Sequence, residues 1–139
     1  MNILYTAEAT AWGGREGRVV SSDKVLDLDL AIPTSMGGPG GDKSNPEQLF
    51  AAGYSACFHS ALKLVAASEK VDVSESAVTA KVGIGANDRG GFGLQVELEA
   101  ELPDLGQSVA EALVAKAHEV CPYSNATRGN VEVTLTVTV

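Results

Sequence analysis

Two thiols, Cys57 and Cys121, are the residues of this 139-residue chain with the widest chemical choice. They stand 64 positions apart (121 − 57), so neither the Cys-x-x-Cys redox motif nor zinc-knuckle spacing applies. A free cysteine is often only a small buried hydrophobe, and spacing alone does not choose between that, metal ligation and redox work. His59 and His118 are the only imidazoles that could complete a metal site. On a regular helix Cys57 and His59, two positions apart, point about 200° away from each other and cannot share an ion. A solvent-facing or hydrogen-bonded role is the ordinary reading of both histidines. Gly40-Gly41-Asp42-Lys43-Ser44 resembles a phosphate loop, but Asp42 stands where that motif needs Gly before Lys. No Gly-x-Ser-x-Gly nucleophile elbow is present, and no metal or cofactor is expected.

A reactive cysteine must be a thiolate, and an ordinary thiol, with a pKa of about 8.5, is mostly protonated at neutral pH. Burial disfavours the charge further, so a cation has to reverse the effect. Arginine suits, because it stays charged in a dry site, and a carboxylate can orient it. The candidates are Arg15, Arg18, Arg89 and Arg128. Arg15 lies in the Gly13-Gly14-Arg15-Glu16-Gly17 segment, where a solvated loop residue is the ordinary expectation. Arg128, in Thr127-Arg128-Gly129-Asn130, reads as a turn residue.

The elements that must position these groups form an α+β chain in the order β-β-β-α-β-β-α-β. Ile3 to Ala11, Arg18 to Ser22 and Val25 to Ile32 read as a meander. Ala77 to Gly85 and Leu94 to Leu102 read as a hairpin around Asn87-Asp88-Arg89-Gly90-Gly91. Val131, Val133, Leu135 and Val137 alternate with polar residues as a last half-buried strand. One helix opens with Asn45 as N-cap, Pro46 at the first position and Gln48 completing a capping box, and runs to about Glu69. It is apolar almost all round, which predicts burial in a core or in a subunit interface. A second opens with a capping box at Ser108 and Glu111, carries the stripe Ala110, Leu113, Ala117 and Val120, and ends at Pro122. Gly37 to Gly41 reads as the most flexible stretch.

Length and composition fit one domain, residues 1–139. A net charge of -8 argues against nucleic acid and against an anionic membrane surface. Leu49 to Ala67 is interrupted by Tyr54, Ser55, His59, Ser60 and Lys63, unlike a bilayer-spanning segment. The N-terminal residues lack a signal-peptide pattern, and the chain reads as cytoplasmic, where thiols are kept reduced.

The stretch Asn45-Pro46-Glu47-Gln48-Leu49-Phe50-Ala51-Ala52-Gly53-Tyr54-Ser55-Ala56-Cys57-Phe58, followed by Val120-Cys121-Pro122-Tyr123-Ser124-Asn125-Ala126-Thr127-Arg128-Gly129-Asn130, resembles the organic hydroperoxide resistance (Ohr) family. That family is a branch of the group that includes the osmotically inducible protein C (OsmC). The likeness runs over essentially the whole chain, including Tyr5-Thr6-Ala7 and the Gly-Gly-Arg turn. It implies antiparallel sheets around a long buried central helix, and an intertwined homodimer with active sites at the interface. It implies that Cys57 attacks an organic hydroperoxide and becomes a sulfenic acid, that Cys121 condenses with it to a disulfide, and that a dithiol such as a lipoylated protein restores both. On the matching positions Arg15 would stabilise the thiolate and Glu47 would orient Arg15, although a glutamate at a helix start is ordinarily explained by the helix dipole.

Ten residues of helix place Glu47 about 15 Å from Cys57 along one axis, so a Glu47 that braces Arg15 beside Cys57 would do so across the dimer interface. Phe50, Phe58, Leu62 and Tyr123 are candidates to line an apolar pocket, and core packing would explain them equally. The segment Val120 to Asn125 favours the Ohr branch over an OsmC-like peroxidase of broader range. A redox-responsive binding module is the alternative from another class.

Overall fold

A computed structural model describes all residues from Met1 to Val139, and the chain divides into two compact units, Met1–Leu49 and Phe50–Val139. In the first, β1 (Ala9–Trp12), β2 (Arg18–Ser21) and β3 (Asp27–Asp29) form an antiparallel sheet in sequence order. The meander is there, but its first strand starts at Ala9 rather than Ile3. β2 offers only four residues, and pairing runs out where the Ser22 N–H donates to the Glu8 carbonyl. Residues 1–8 are exposed.

The β1–β2 connection is a 3-10 turn, Gly14–Glu16, entered through Gly13 and Gly14 at φ 75° and 57°. Positive φ is a region that side chains with a Cβ rarely adopt. A Cβ on Gly17 would fall 1.6 Å from the Trp12 carbonyl oxygen, so the turn closes tightly only around glycine. Arg15 is carried on this turn. The loop expected to be most flexible is tied back by three backbone bonds, from the N–H groups of Gly37, Gly38 and Gly40 to the carbonyls of Thr34, Pro33 and Ile32.

Helix α1 (Pro46–Ser68) begins at the residue the sequence predicts, with Asn45 Oδ1 accepting the Gln48 N–H at 2.9 Å, but the Gln48 side chain does not return the bond that would complete the capping box. It is long and apolar enough to cross a membrane by length and composition alone. Within the second unit it is a core helix on one stripe only. Tyr54, Phe58, Ala61, Leu62, Val65 and Ala66 are buried, while Ala52, Ala56 and Leu64 on other faces are exposed. The all-round apolar pattern therefore overstates its burial within one chain.

In the second unit β4 (Ala77–Ala86) and β5 (Phe92–Glu101) form the expected hairpin, with Asn87 Oδ1 accepting the Arg89 and Gly91 N–H groups in the turn. β6 (Glu132–Thr138) then pairs with β5 in parallel, which corrects the expectation of purely antiparallel sheets. The physical reason is the connection: α2 (Gln107–Val120) and α3 (Pro122–Thr127) carry the chain back before β6 begins. α2 starts at Gln107 with Gly106 as its N-cap, so the capping box expected at Ser108 does not form. Pro122, expected only to stop α2, opens α3 at its first position. Val96, Leu98, Ala100 and Leu102 face Leu113, Val114 and Ala117 of α2 and the α1 stripe in one core, whereas Val120 is exposed.

Candidate active site

Cys57 sits midway along α1, and Cys121 is at once the last cap of α2 and the N-cap of α3. Its N–H donates to Ala117 and its carbonyl accepts from Asn125, so both backbone groups are used in holding that junction. Cys121 is fully buried, Cys57 half-buried, and both are free thiols. Cys121 Sγ lies 3.6 Å from Cys57 Sγ. A disulfide bond is about 2.0 Å, so an approach of under 2 Å would join them. Burial pushes the Cys57 thiol up from its ordinary value; the Tyr123 backbone N–H favours the thiolate, and the neighbouring Cys121 opposes it. No cation of the second unit is among the groups that act on the Cys57 thiol.

The first unit holds Arg15 and Glu47 together. Arg15 Nη1 donates to Glu47 Oε2 and Nη2 to Oε1, each at 2.7 Å, the two-pronged geometry that fixes the guanidinium plane. Those hydrogen bonds hold the Glu47 carboxyl below its usual range and raise Arg15 further, so both are charged near neutral pH. Arg18 is instead paired with Asp27 on the surface. Arg128 donates to the His118 carbonyl and to Asn125 Oδ1, which is the structural role its turn context suggests.

Of the four residues considered for an apolar pocket, Phe58 and Leu62 are fully buried in the core. Phe50 and Tyr123 remain partly open and are joined by Tyr54, with ring centroids 5.7 to 6.2 Å apart. Gly53 makes room for this cluster: a Cβ there would fall 3.0 Å from the Tyr123 hydroxyl.

Sequence reasoning missed the polar groups around Cys121. His118 Nδ1 is 2.8 Å from Ser124 Oγ, which is 2.9 Å from the Tyr54 hydroxyl, itself 3.1 Å from Thr127 Oγ1. Ser124 and Thr127 repeat at a helical interval, but α3 is only six residues long and leaves no periodic pattern to find. His59 Nε2 lies 3.0 Å from Ser76 Oγ, a hydrogen-bonded histidine. No group of three or more His, Cys, Asp or Glu side chains is placed to hold a metal ion.

Comparison with known proteins is consistent across sequence and fold. The model of OsmC-like proteins matches residues 38–136. An organic hydroperoxide resistance protein of Xanthomonas axonopodis pv. citri is 58% identical over 97% of this chain and 95% of its own length. The organic hydroperoxide resistance protein OhrA of Bacillus subtilis is 53% identical over 96% of each. The crystal structure of an organic hydroperoxide resistance protein from Elizabethkingia anophelis superposes with a TM-score of 0.95, at 57% identity and 99% coverage of both chains. With the family model spanning most of the chain and full-length relatives above half identity, the chain belongs to the OsmC-like family, in the branch of the organic hydroperoxide resistance proteins.

Proposed function

We propose that the chain is a cysteine-based peroxidase that reduces organic hydroperoxides to alcohols. The observation that carries this reading is the 3.6 Å approach of two free thiols, in a chain whose relatives are named for organic hydroperoxide resistance. The Cys57 thiolate attacks a peroxide oxygen, the O–O bond breaks, the alkoxide takes up a proton as the alcohol, and Cys57 is left as a sulfenic acid. The Cys121 sulfur then attacks the Cys57 sulfur. The S–O bond breaks, and the hydroxyl leaves as water with the proton from Cys121. A dithiol, with a lipoyl-bearing protein as its expected source, reduces the disulfide and closes its own ring. The cycle uses no metal or cofactor and suits a reducing cytoplasm.

Arg15 supplies the cation that the half-buried Cys57 lacks, and Glu47 orients it. Glu47 and Cys57 are ten residues apart on α1, about 15 Å along the axis at 1.5 Å per residue, so the pair of one copy serves the thiolate of a second. The working form is accordingly a homodimer with its active sites at the interface. The exposed apolar residues of α1, with Leu64 63% exposed, give that partner a surface to cover. Phe50 and Tyr123 favour a bulky or fatty substrate over hydrogen peroxide.

The test is consumption of cumene hydroperoxide with dihydrolipoamide as reductant, wild type beside Cys57→Ser and Cys121→Ser. Turnover that disappears in Cys57→Ser supports the reading. A folded, fully reduced wild type without turnover would point instead to a redox-responsive binding module.

A further inference from the structure

The hydrogen-bond chain from His118 through Ser124 and Tyr54 to Thr127 has no part in the peroxidase cycle as written, yet it is closed and directional. Thr127 Oγ1 faces two backbone carbonyls, of Tyr123 at 3.0 Å and Ser124 at 3.1 Å. Carbonyls only accept, so the single Thr127 hydroxyl proton is committed to them. Thr127 must then accept from Tyr54, Tyr54 from Ser124, and Ser124 from His118. Counting one proton per hydroxyl therefore places a hydrogen on His118 Nδ1. Burial holds this histidine below its ordinary value of 6.5, with Arg128 pushing the same way, so near pH 7 the ring is neutral and Nδ1 carries its one proton. Tyr54 and Ser124 have no exposed surface and Thr127 has 4%, so no water stands in if a link is lost.

The four residues bracket the cysteines. His118 is three residues before Cys121 in the last turn of α2, and Ser124 and Thr127 are three and six residues after it on α3. Tyr54 is three residues before Cys57 on α1. A second tie, from Arg128 Nη2 to the His118 carbonyl at 2.5 Å, joins the end of α3 to the end of α2. Helix α3 has a single turn and a half and could not hold its own place by backbone bonding alone.

We propose that this chain is the positioning device of the resolving cysteine: it pins the α2–α3 junction to α1 so that Cys121 closes on Cys57 without rearrangement. The purpose rests on the peroxidase reading, but the device acts on the thiol–disulfide equilibrium itself and is measurable without peroxide. A loosened junction gives the reduced form more conformations to lose on closure, which disfavours the disulfide.

The experiment is equilibration of the Cys57–Cys121 disulfide in dithiothreitol redox buffers, with thiols quantified at each ratio. In that exchange reduced dithiothreitol closes its ring as the protein disulfide opens to two thiols. Ser124→Ala and His118→Leu are expected to lower the equilibrium constant for protein disulfide by about tenfold or more, the scale of a misplaced reacting group. His118→Asn, whose amide N–H can replace the Nδ1 donor, is expected to stay within about twofold of wild type. If Ser124→Ala does not fold, Thr127→Val cuts the far end of the same chain with the same expected loss. Constants in Ser124→Ala and His118→Leu equal to or above wild type would overturn the proposal, as would His118→Asn falling with His118→Leu. The expected pattern in a protein without peroxide turnover would support the positioning role and remove only the peroxidase reading.

Discussion

Arg15 and Glu47 grip each other through two 2.7 Å hydrogen bonds although 32 positions separate them in the chain. One stands on a turn that only glycines can close, the other in the first turn of a helix started by Asn45 and Pro46. Each placement has a local cause, and together they present an oriented cation.

Replacing that fork with a point charge should be costly. Arg15→Lys cannot engage both carboxylate oxygens, and kcat/KM for cumene hydroperoxide is expected to fall by about 10- to 100-fold. In Arg15→Leu the Cys57 thiol pKa should rise, and the thiolate fraction near neutrality should fall with it. The pH dependence of alkylation by iodoacetamide reads this directly. An unchanged profile would remove Arg15 from the site.

Glu47 gives a pH expectation with a definite sign. Its folded pKa is lowered from 4.5, chiefly by the hydrogen bonds from Arg15, so its contribution to folding is full above the unfolded value and is lost as pH falls through the folded one. Stability of wild type should therefore decline below pH 4.5 more steeply than that of Glu47→Gln. Urea midpoints across that range provide the comparison, and parallel curves would contradict it.

Much of this fold is legible in the sequence because its elements obey simple periods. The alternation of Leu94 to Leu102 fixed the buried face of β5, and Asn45 with Pro46 marked the start of α1 to the residue. The errors come where a local signal had a tertiary competitor. Ser108 and Glu111 look like a capping box, but α2 gains its start at Gln107. The strands flanking the last two helices give no cue that β6 runs parallel to β5. For the site, Cys57 and Cys121 were visible as residue types. Their 3.6 Å approach depends on α3, a helix too short to leave a pattern.

His118 should make stability fall on mild acidification. Its folded pKa is lowered from 6.5, first by burial and then by Arg128, while Glu119 acts in the opposite sense. The unfolded chain therefore binds the proton more readily, and stability is full above pH 6.5 and declines below it. His118→Asn should flatten that slope between pH 6.5 and the region where the carboxylates titrate. Thermal melts at closely spaced pH values would show it, and an equal slope in both proteins would exclude His118 as the cause.

Tyr54→Phe isolates one hydroxyl. It leaves Ser124 and Thr127 each short of a buried partner and should cost about 1–3 kcal/mol. Phe58→Ala, a cavity in the same core, should cost about 3–5 kcal/mol. Denaturant unfolding at unchanged m-value measures both. A neutral Tyr54→Phe would mean that the hydroxyl chain contributes no stability.

The central claim is that Cys57 takes the oxygen and Cys121 removes it. Treating Cys121→Ser with one equivalent of cumene hydroperoxide in the presence of dimedone, then mapping the adduct by mass spectrometry, tests this most directly. The account predicts a sulfenic-acid adduct on Cys57 in that variant, and rapid disulfide with little adduct in the wild type. Peroxide consumed with Cys57 left unmodified would contradict it.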